Sequence, residues 1–445
     1  MTDWDEAEKR VEKAHELYER GKMEEALAEL QAAIAINPFN AGWYFNLGIT
    51  YDAMERPEEA VVAYRHAIDM EPEDVEVLTA LGCDLNRLGK FPEAIATFQR
   101  IESLDSSHEA AYCYRIISYS ELGDHDKAEE MFFLARQYKE TCPLCLYNIG
   151  NSLYARGNYD KALWCWQQVV ELEPDHGQVH ARIADALWAK GQLGEAKTHF
   201  VEELRNNPGD IDVMLDLGEL LVEMGHHPAA AEKFRQVLEL SPDEATAQFH
   251  LGEISMHDND PTFALEQFRT VLRIDRAFPG AHLRIAQIYH GQRDAAEAVF
   301  HANCELAQQQ NEEQVLSELG ALFMDMGQLG SAEIAFNRVL TADPANIAAR
   351  HDLAVTMLMV GRLDEGIEHA RHVLRIQPKF MLAMHNLALA YLQKRDFTRA
   401  HYWLREALDI DPNDAQLARL RTRLRLAKFF HTLRTLPTKL LTRRS

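Results

Sequence analysis

The chain repeats itself every 34 residues from Ala7 to Asp414, a span of 408 residues. That span is twelve repeats, beginning at residues 7, 41, 75, 109, 143, 177, 211, 245, 279, 313, 347 and 381. The twentieth position is Ala in eleven repeats, Ala26 and Ala60 through Ala332 and Ala400, and Gly366 in the other. The eighth position is Gly or Ala in eleven, with Ile116 the exception. A period of this length, kept without insertion, excludes a single globular core. Each repeat is one supersecondary unit that cannot cover its own apolar face, and its neighbours must cover it.

The repeat from Ala41 to Asp74 has the clearest local pattern. Tyr44, Leu47, Gly48 and Tyr51 share one helical face, the stretch breaks at Glu55–Arg56–Pro57, and Ala60, Tyr64, Ala67 and Ile68 form a second face. Pro72 ends it. The spacing predicts two helices of about a dozen residues joined by a tight turn. Small residues at positions 8 and 20 let the helices approach, and large ones such as Tyr64 fill the remaining space. Position 15 is Gly in eight repeats and Asn259 in a ninth, residues that tolerate the left-handed conformation ending a helix. Pro57, Pro92, Pro228 and Pro261 stand where second helices begin, where a missing N–H costs nothing.

The period, the small residues at positions 8 and 20 and the Pro at position 32 resemble the tetratricopeptide repeat, over residues 7–414. The resemblance implies an all-α, right-handed superhelical solenoid of helix pairs. Residues 1–6 lead in, and 415–445 add a basic capping helix and tail. Two repeats depart from the pattern. The fourth has Ile116 and Glu140, and the ninth has Ala302 and Gln310, so irregular packing is expected near 140 and 310.

In this family the first helix of each pair lines a concave groove through positions 2, 5, 6, 9 and 12. Those positions give Tyr147, Asn148, Asn151 and Tyr154 in the fifth repeat and Asp185 and Trp188 in the sixth. The seventh contributes Asp212, Asp216 and Glu219, and the eighth Phe249, Glu253 and Met256. Acid rungs interleaved with aromatic and Met side chains suit a basic segment with apolar anchors. Against this stands local pairing, for instance of Asp185 with Arg182. The family's carboxylate clamp, which reads acidic C-terminal tails, finds no matching set in three consecutive repeats; Asn148, Asn151 and Arg182 are fragments of it. His351 and His385 share position 5 in adjacent repeats without a third ligand.

Charge is unevenly placed. The chain has 46 basic and 70 acidic residues, yet from Ala415 onward nine basic residues meet no acid, leaving 37 against 70 in the rest. An acidic array repels nucleic acid and attracts basic partners. In the tail, Leu417, Leu420, Leu424, Ala427, Phe430 and Leu433 recur at helical spacing opposite Arg421, Arg425 and Lys428. The part to Lys428 is expected to cap the last repeat. Residues 429–445 exceed a cap and are open to contact with an anionic membrane, a partner, or a groove of the same or a second molecule.

Six cysteines in 445 residues are not a disulfide scaffold, and no apolar run approaches a membrane span. With Met1–Arg10 polar and charged, the expectation is a cytoplasmic protein. Cys142–Pro143–Leu144–Cys145 has metal or redox spacing, with Cys113 and Cys165 within reach. The other reading, which is favoured, has Pro143 opening a helix on which the cysteines pack as small apolar side chains. No nucleotide, metalloprotease or hydrolase motif occurs, and 37 residues outside the repeats leave no room for a catalytic domain. The chain is therefore expected to be a non-catalytic scaffold or adaptor without cofactor. The alternative is a chaperone-like carrier of a basic or membrane-bound client.

Overall fold

The computed structural model describes residues 3–138, 141–309 and 312–435. These contain 25 α-helices and no strand. By contact they divide into two bodies, Met1–Lys233 and Phe234–Ser445. Within each, helices pack as consecutive pairs, and each pair lies against the next. The expected irregularities at 140 and 310 fall outside the described residues. The first helix, α1 (Asp3–Glu19), already begins inside the lead-in segment, where Trp4 lies 5.9 Å from Trp43 between ring centroids.

One contact recurs inside the pairs. In α5 (Val75–Arg87) Gly82 faces Phe98 of α6 (Phe91–Leu104) so closely that an added Cβ would lie 2.5 Å from the ring. Gly48 meets Tyr64 in the same way at 2.3 Å, Gly150 meets Trp166 at 2.4 Å, Gly252 meets Phe268 at 2.7 Å and Gly320 meets Phe336 at 2.6 Å. These are positions 8 and 24 of five repeats. The ring lies against bare backbone, and all five rings are buried. The Ala at position 20 beside them is fully buried in all eleven repeats that carry it. Where the pattern departs, the core closes differently: Ile116 and Ala302 are both fully buried as well.

The turn at position 15 is the same in every repeat. Eight glycines there have φ between 68° and 90°, and Glu55, Asn259, Arg293 and Arg395 adopt φ of 57°, 61°, 64° and 60°. The helix pair imposes the left-handed conformation even where the side chain disfavours it.

Repeats six and nine carry a variant that the period conceals. Their first helices, α11 (Val179–Ala189) and α17 (Ala281–Gly291), are two residues shorter than the 13 of α9 (Pro143–Ala155). Each follows a left-handed residue, Gln178 at φ 64° and Gly280 at φ 81°. A buried glutamate from the second helix caps the exposed N–H groups. Glu203 of α12 (Leu193–Asn206) accepts from Gln178 N at 3.0 Å and Ala181 N at 3.3 Å. Glu305 of α18 (Ala295–Ala307) accepts from Gly280 N and Leu283 N, both at 3.0 Å. Beside these caps His180 and His199, and His282 and His301, bring Nδ1 atoms to 3.0 and 2.8 Å. Burial and the facing His301 push His282 down to about 4, so the ring stays neutral and the pair shares one proton as a hydrogen bond.

The last helix, α25 (Ala415–Thr435), lays Leu417, Leu420 and Leu424 on the final pair, α23 (Met381–Gln393) and α24 (Phe397–Ile410). It runs on past Lys428, where a cap alone would stop, and leaves Phe429 and Phe430 exposed. Tail residues 436–445 lie outside the described residues. Among the described residues no helix is long and apolar enough to cross a membrane.

Two outcomes are expected. Gly82→Ala should destabilise the chain by about 1–3 kcal/mol in urea denaturation through overpacking against Phe98, and Phe98→Leu in the same chain should recover part of the loss. Glu55→Gly, which removes the left-handed penalty, should stabilise by about 1 kcal/mol.

Candidate functional site

The predicted site residues all sit on first helices, and several of them, Tyr154, Trp188 and Phe249 among them, pack against the second helix of their own pair. In the N-terminal body they come from α9, α11 and α13 (Ile211–Glu223). Asp216, on α13, is the centre of the charge. It is part-buried, and that burial together with Asp185 of α11 and Glu219 and Asp212 of its own helix pushes its carboxyl up to about 7. Arg182 opposes the shift. The guanidinium of Arg182 stands 3.5 Å from Asp185, so the local pair expected from sequence is present. Burial nevertheless outweighs Arg182 and holds Asp185 above the usual carboxylate range. Arg182 thus pairs with Asp185 and at the same time opposes the charge that its neighbours place on Asp216.

Aromatic side chains flank this group. Tyr154 of α9 is part-buried, 6.0 Å from Trp166 and 5.4 Å from Tyr159 between centroids, and burial with the Asp185 charge raises its hydroxyl pKa. Tyr147 lies 4.8 Å from His176. Trp188 donates its indole N–H to Glu223 and sets its ring edge-on to Phe200. Asn148 is buried, and its Nδ2 has no hydrogen-bond partner; neither does Oδ1 of Asn151, one turn on. Each unmet amide atom costs about 1–3 kcal/mol.

In the C-terminal body the three predicted residues are already engaged. Glu253 of α15 (Ala245–His257) accepts from Arg284 Nε at 3.0 Å and lies 3.4 Å from His250. Burial pushes its carboxyl up, but His250 and Arg284 outweigh it and hold it below the ordinary range. Arg284 also donates to Glu318. Phe249 packs among Phe268 and Phe278 at 5.4 and 5.1 Å, and Met256 lies against the same cluster. Of the histidine pair, His351 contacts Nδ2 of Asn386 at 3.1 Å and Asp352 at 3.0 Å.

The cysteines are placed differently from the packing reading. Cys142 does cap α9, its sulfur accepting the Cys145 N–H at 3.3 Å. Cys145, however, is joined by a disulfide to Cys113 of α7 (Glu109–Glu121). Cys165 is buried, with burial pushing its thiol up to about 11.

Sequence reasoning missed the caps Glu203 and Glu305 and the Arg284 bridge. A signal for the caps existed: position 27 is apolar in the other ten repeats. Arg284 stands at position 6, one of the groove positions, but its partners come from neighbouring repeats, and periodicity does not pair side chains across repeats.

Tetratricopeptide-repeat models match residues 14–55, 42–74, 147–211, 215–282, 313–346 and 381–414, together more than half of the chain. The chain belongs to the tetratricopeptide repeat family. Human protein O-mannosyl-transferase TMTC1 is 31% identical over 171 residues, 37% of this chain and 18% of that protein. Peroxisome biogenesis protein 5 of Arabidopsis thaliana is 33% identical over 72 residues, 16% of this chain and 10% of that protein. The chain thus spans less than a fifth of the length of these relatives. Among solved structures, a tetratricopeptide repeat protein from Parabacteroides merdae aligns with TM-score 0.48 and 18% identity, covering 57% of this chain and 99% of its own. Yeast Tom70 aligns with TM-score 0.42 and 14% identity, covering 97% of each. The family builds protein-interaction scaffolds.

If the Asp216 carboxyl sits near 7 when folded and near 3.9 when unfolded, the folded chain holds its proton longer. Folding then loses stability as pH rises from about 4 to about 7 and no more beyond. Asp216→Asn should therefore raise the melting temperature increasingly across that window, level off above it, and do little near pH 3. Melting curves in a pH series check this.

Proposed function

We propose that the chain is a non-catalytic scaffold that binds a basic protein segment with apolar anchors along the first-helix face of α9, α11 and α13. The observation that carries this reading is the state of Asp216. Burial and the neighbouring carboxylates of Asp185, Glu219 and Asp212 push its carboxyl up to about 7 against the opposing charge of Arg182, which stands 3.5 Å from Asp185. A Lys or Arg from a partner placed beside Asp216 would relieve that repulsion, and perturbed carboxyls of this kind gather where a charged partner is recognised. Trp188, Tyr154 and Tyr147 supply apolar surface beside the charge, and the amides of Asn148 and Asn151 suit a peptide backbone. Glu253, Phe249 and Met256 take no part in this reading, since Arg284 neutralises the acid and the ring is packed.

A basic partner binds the ionised form of Asp216, so binding at pH 7 should release up to about half a proton. Titration calorimetry of a Lys/Arg-rich peptide bearing Leu and Phe anchors, in two buffers of different ionisation enthalpy, measures that release. Asp216→Asn combined with Asp185→Asn should weaken the peptide about tenfold, or about 1.4 kcal/mol, and abolish the proton release. Equal binding of the charge-reversed peptide, or indifference to the double substitution, would refute the reading.

A further inference from the structure

Among the described residues one group of His, Cys, Asp and Glu side chains is gathered closely enough to hold a metal ion: Glu109, Cys113, Cys142 and Cys145. Their four ligand atoms all lie within 4.8 Å of one another. The three cysteines are buried, at 1%, 6% and 1% exposure in chain order. Glu109 and Cys113 are one turn apart on α7, with the carboxylate oxygen 3.9 Å from the sulfur. Cys142 and Cys145 bracket the first turn of α9, and Cys142 Sγ is 3.6 Å from Cys113 Sγ.

These distances have a specific meaning. A tetrahedral ion with Zn–S of ~2.3 Å and Zn–O of ~2.0–2.2 Å requires sulfurs ~3.8 Å apart and sulfur and oxygen ~3.6 Å apart. The Cys142–Cys113 and Glu109–Cys113 separations fall within a few tenths of an ångström of those edges. Between Cys113 and Cys145 the observed arrangement has a covalent bond where a ligand tetrahedron would have an open edge. Charge is also provided for. The Cys145 N–H points at the Cys142 sulfur, and the positive end of α9 favours thiolate there.

We propose that Cys113, Cys142 and Cys145, when reduced, join Glu109 in binding a thiophilic divalent cation, zinc by ligand class, in a state that alternates with the Cys113–Cys145 disulfide. A dithiol supplies two electrons and two protons. The Cys113–Cys145 bond breaks, two thiols form, and the dithiol becomes its own disulfide. The cation then displaces the three thiol protons to solvent without changing its oxidation state, and Glu109 binds as carboxylate. In both states α7 is tied to α9, the first helices of successive repeats. Only the reduced state makes that tie depend on metal, and it leaves the acidic first-helix face of α11 and α13 untouched.

The experiment uses the full chain, reduced with a dithiol, desalted anaerobically and titrated with Co2+. One Co2+ per chain should appear with thiolate-to-cobalt charge transfer and tetrahedral ligand-field bands, be displaced by one equivalent of Zn2+, and fail to appear in the oxidised chain. Cys142→Ser should remove most of the charge-transfer intensity and Cys165→Ser none. Should Cys142→Ser misfold by circular dichroism, alkylation of the reduced wild-type chain decides. Zn2+ should protect Cys113, Cys142 and Cys145 while Cys83 and Cys304 stay reactive. Absence of charge transfer in the reduced chain, or equal alkylation with and without Zn2+, would overturn the proposal.

Discussion

The architecture depends on the close approach of paired helices, which in five repeats lays an aromatic ring at position 24 on the bare backbone of position 8. Gly82 under Phe98 and Gly150 under Trp166 leave no space for a methyl group. A helix pair that closes this tightly buries its Ala at position 20 completely and fixes the crossing of the two helices. The turn between the helices is common to repeats with and without that ring. The same left-handed residue ends the first helix in every repeat, whether the side chain is absent, as in Gly89, or long and charged, as in Arg395. Local preference yields here to packing, because one strained residue costs about 1–2 kcal/mol and a mispacked core aromatic costs more.

Between these packed side chains the first helices also carry part-buried charge, Asp185 and Asp216 on α11 and α13 and Glu253 on α15. The two bodies treat that charge differently. At Asp216 burial and the neighbouring carboxylates outweigh Arg182, and the carboxyl is pushed up to about 7 in the folded chain. Around Glu253 the geometry supplies Arg284, which bridges Glu253 and Glu318 and cancels the effect. A first-helix acid is thus raised toward neutrality at Asp216 and held ionised by a cation at Glu253. The difference lies in which residue the adjacent repeat happens to present.

The pairing of helices, the turn residues and the all-α class were legible because each is local. They rest on side chains within one 34-residue period, such as Tyr64, Ala60 and Pro57. The Arg182–Asp185 pair was legible for the same reason, being one turn apart. The bridge from Arg284 was not, since its partners lie 31 and 34 residues away. Nor were the shortened helices of repeats six and nine, although a glutamate at an otherwise apolar position marked them.

By itself the sequence determined the repeat, its two helices and the small residues that let them touch, because those follow from spacing and from the volume of single side chains. Only tertiary structure decided which acids are relieved by a cation, which cysteine bonds to which, and which glutamate turns inward to cap a neighbour. Those outcomes are set by distances between residues of different helices. Such distances depend on how each pair leans on the next, a quantity that a periodic string does not contain.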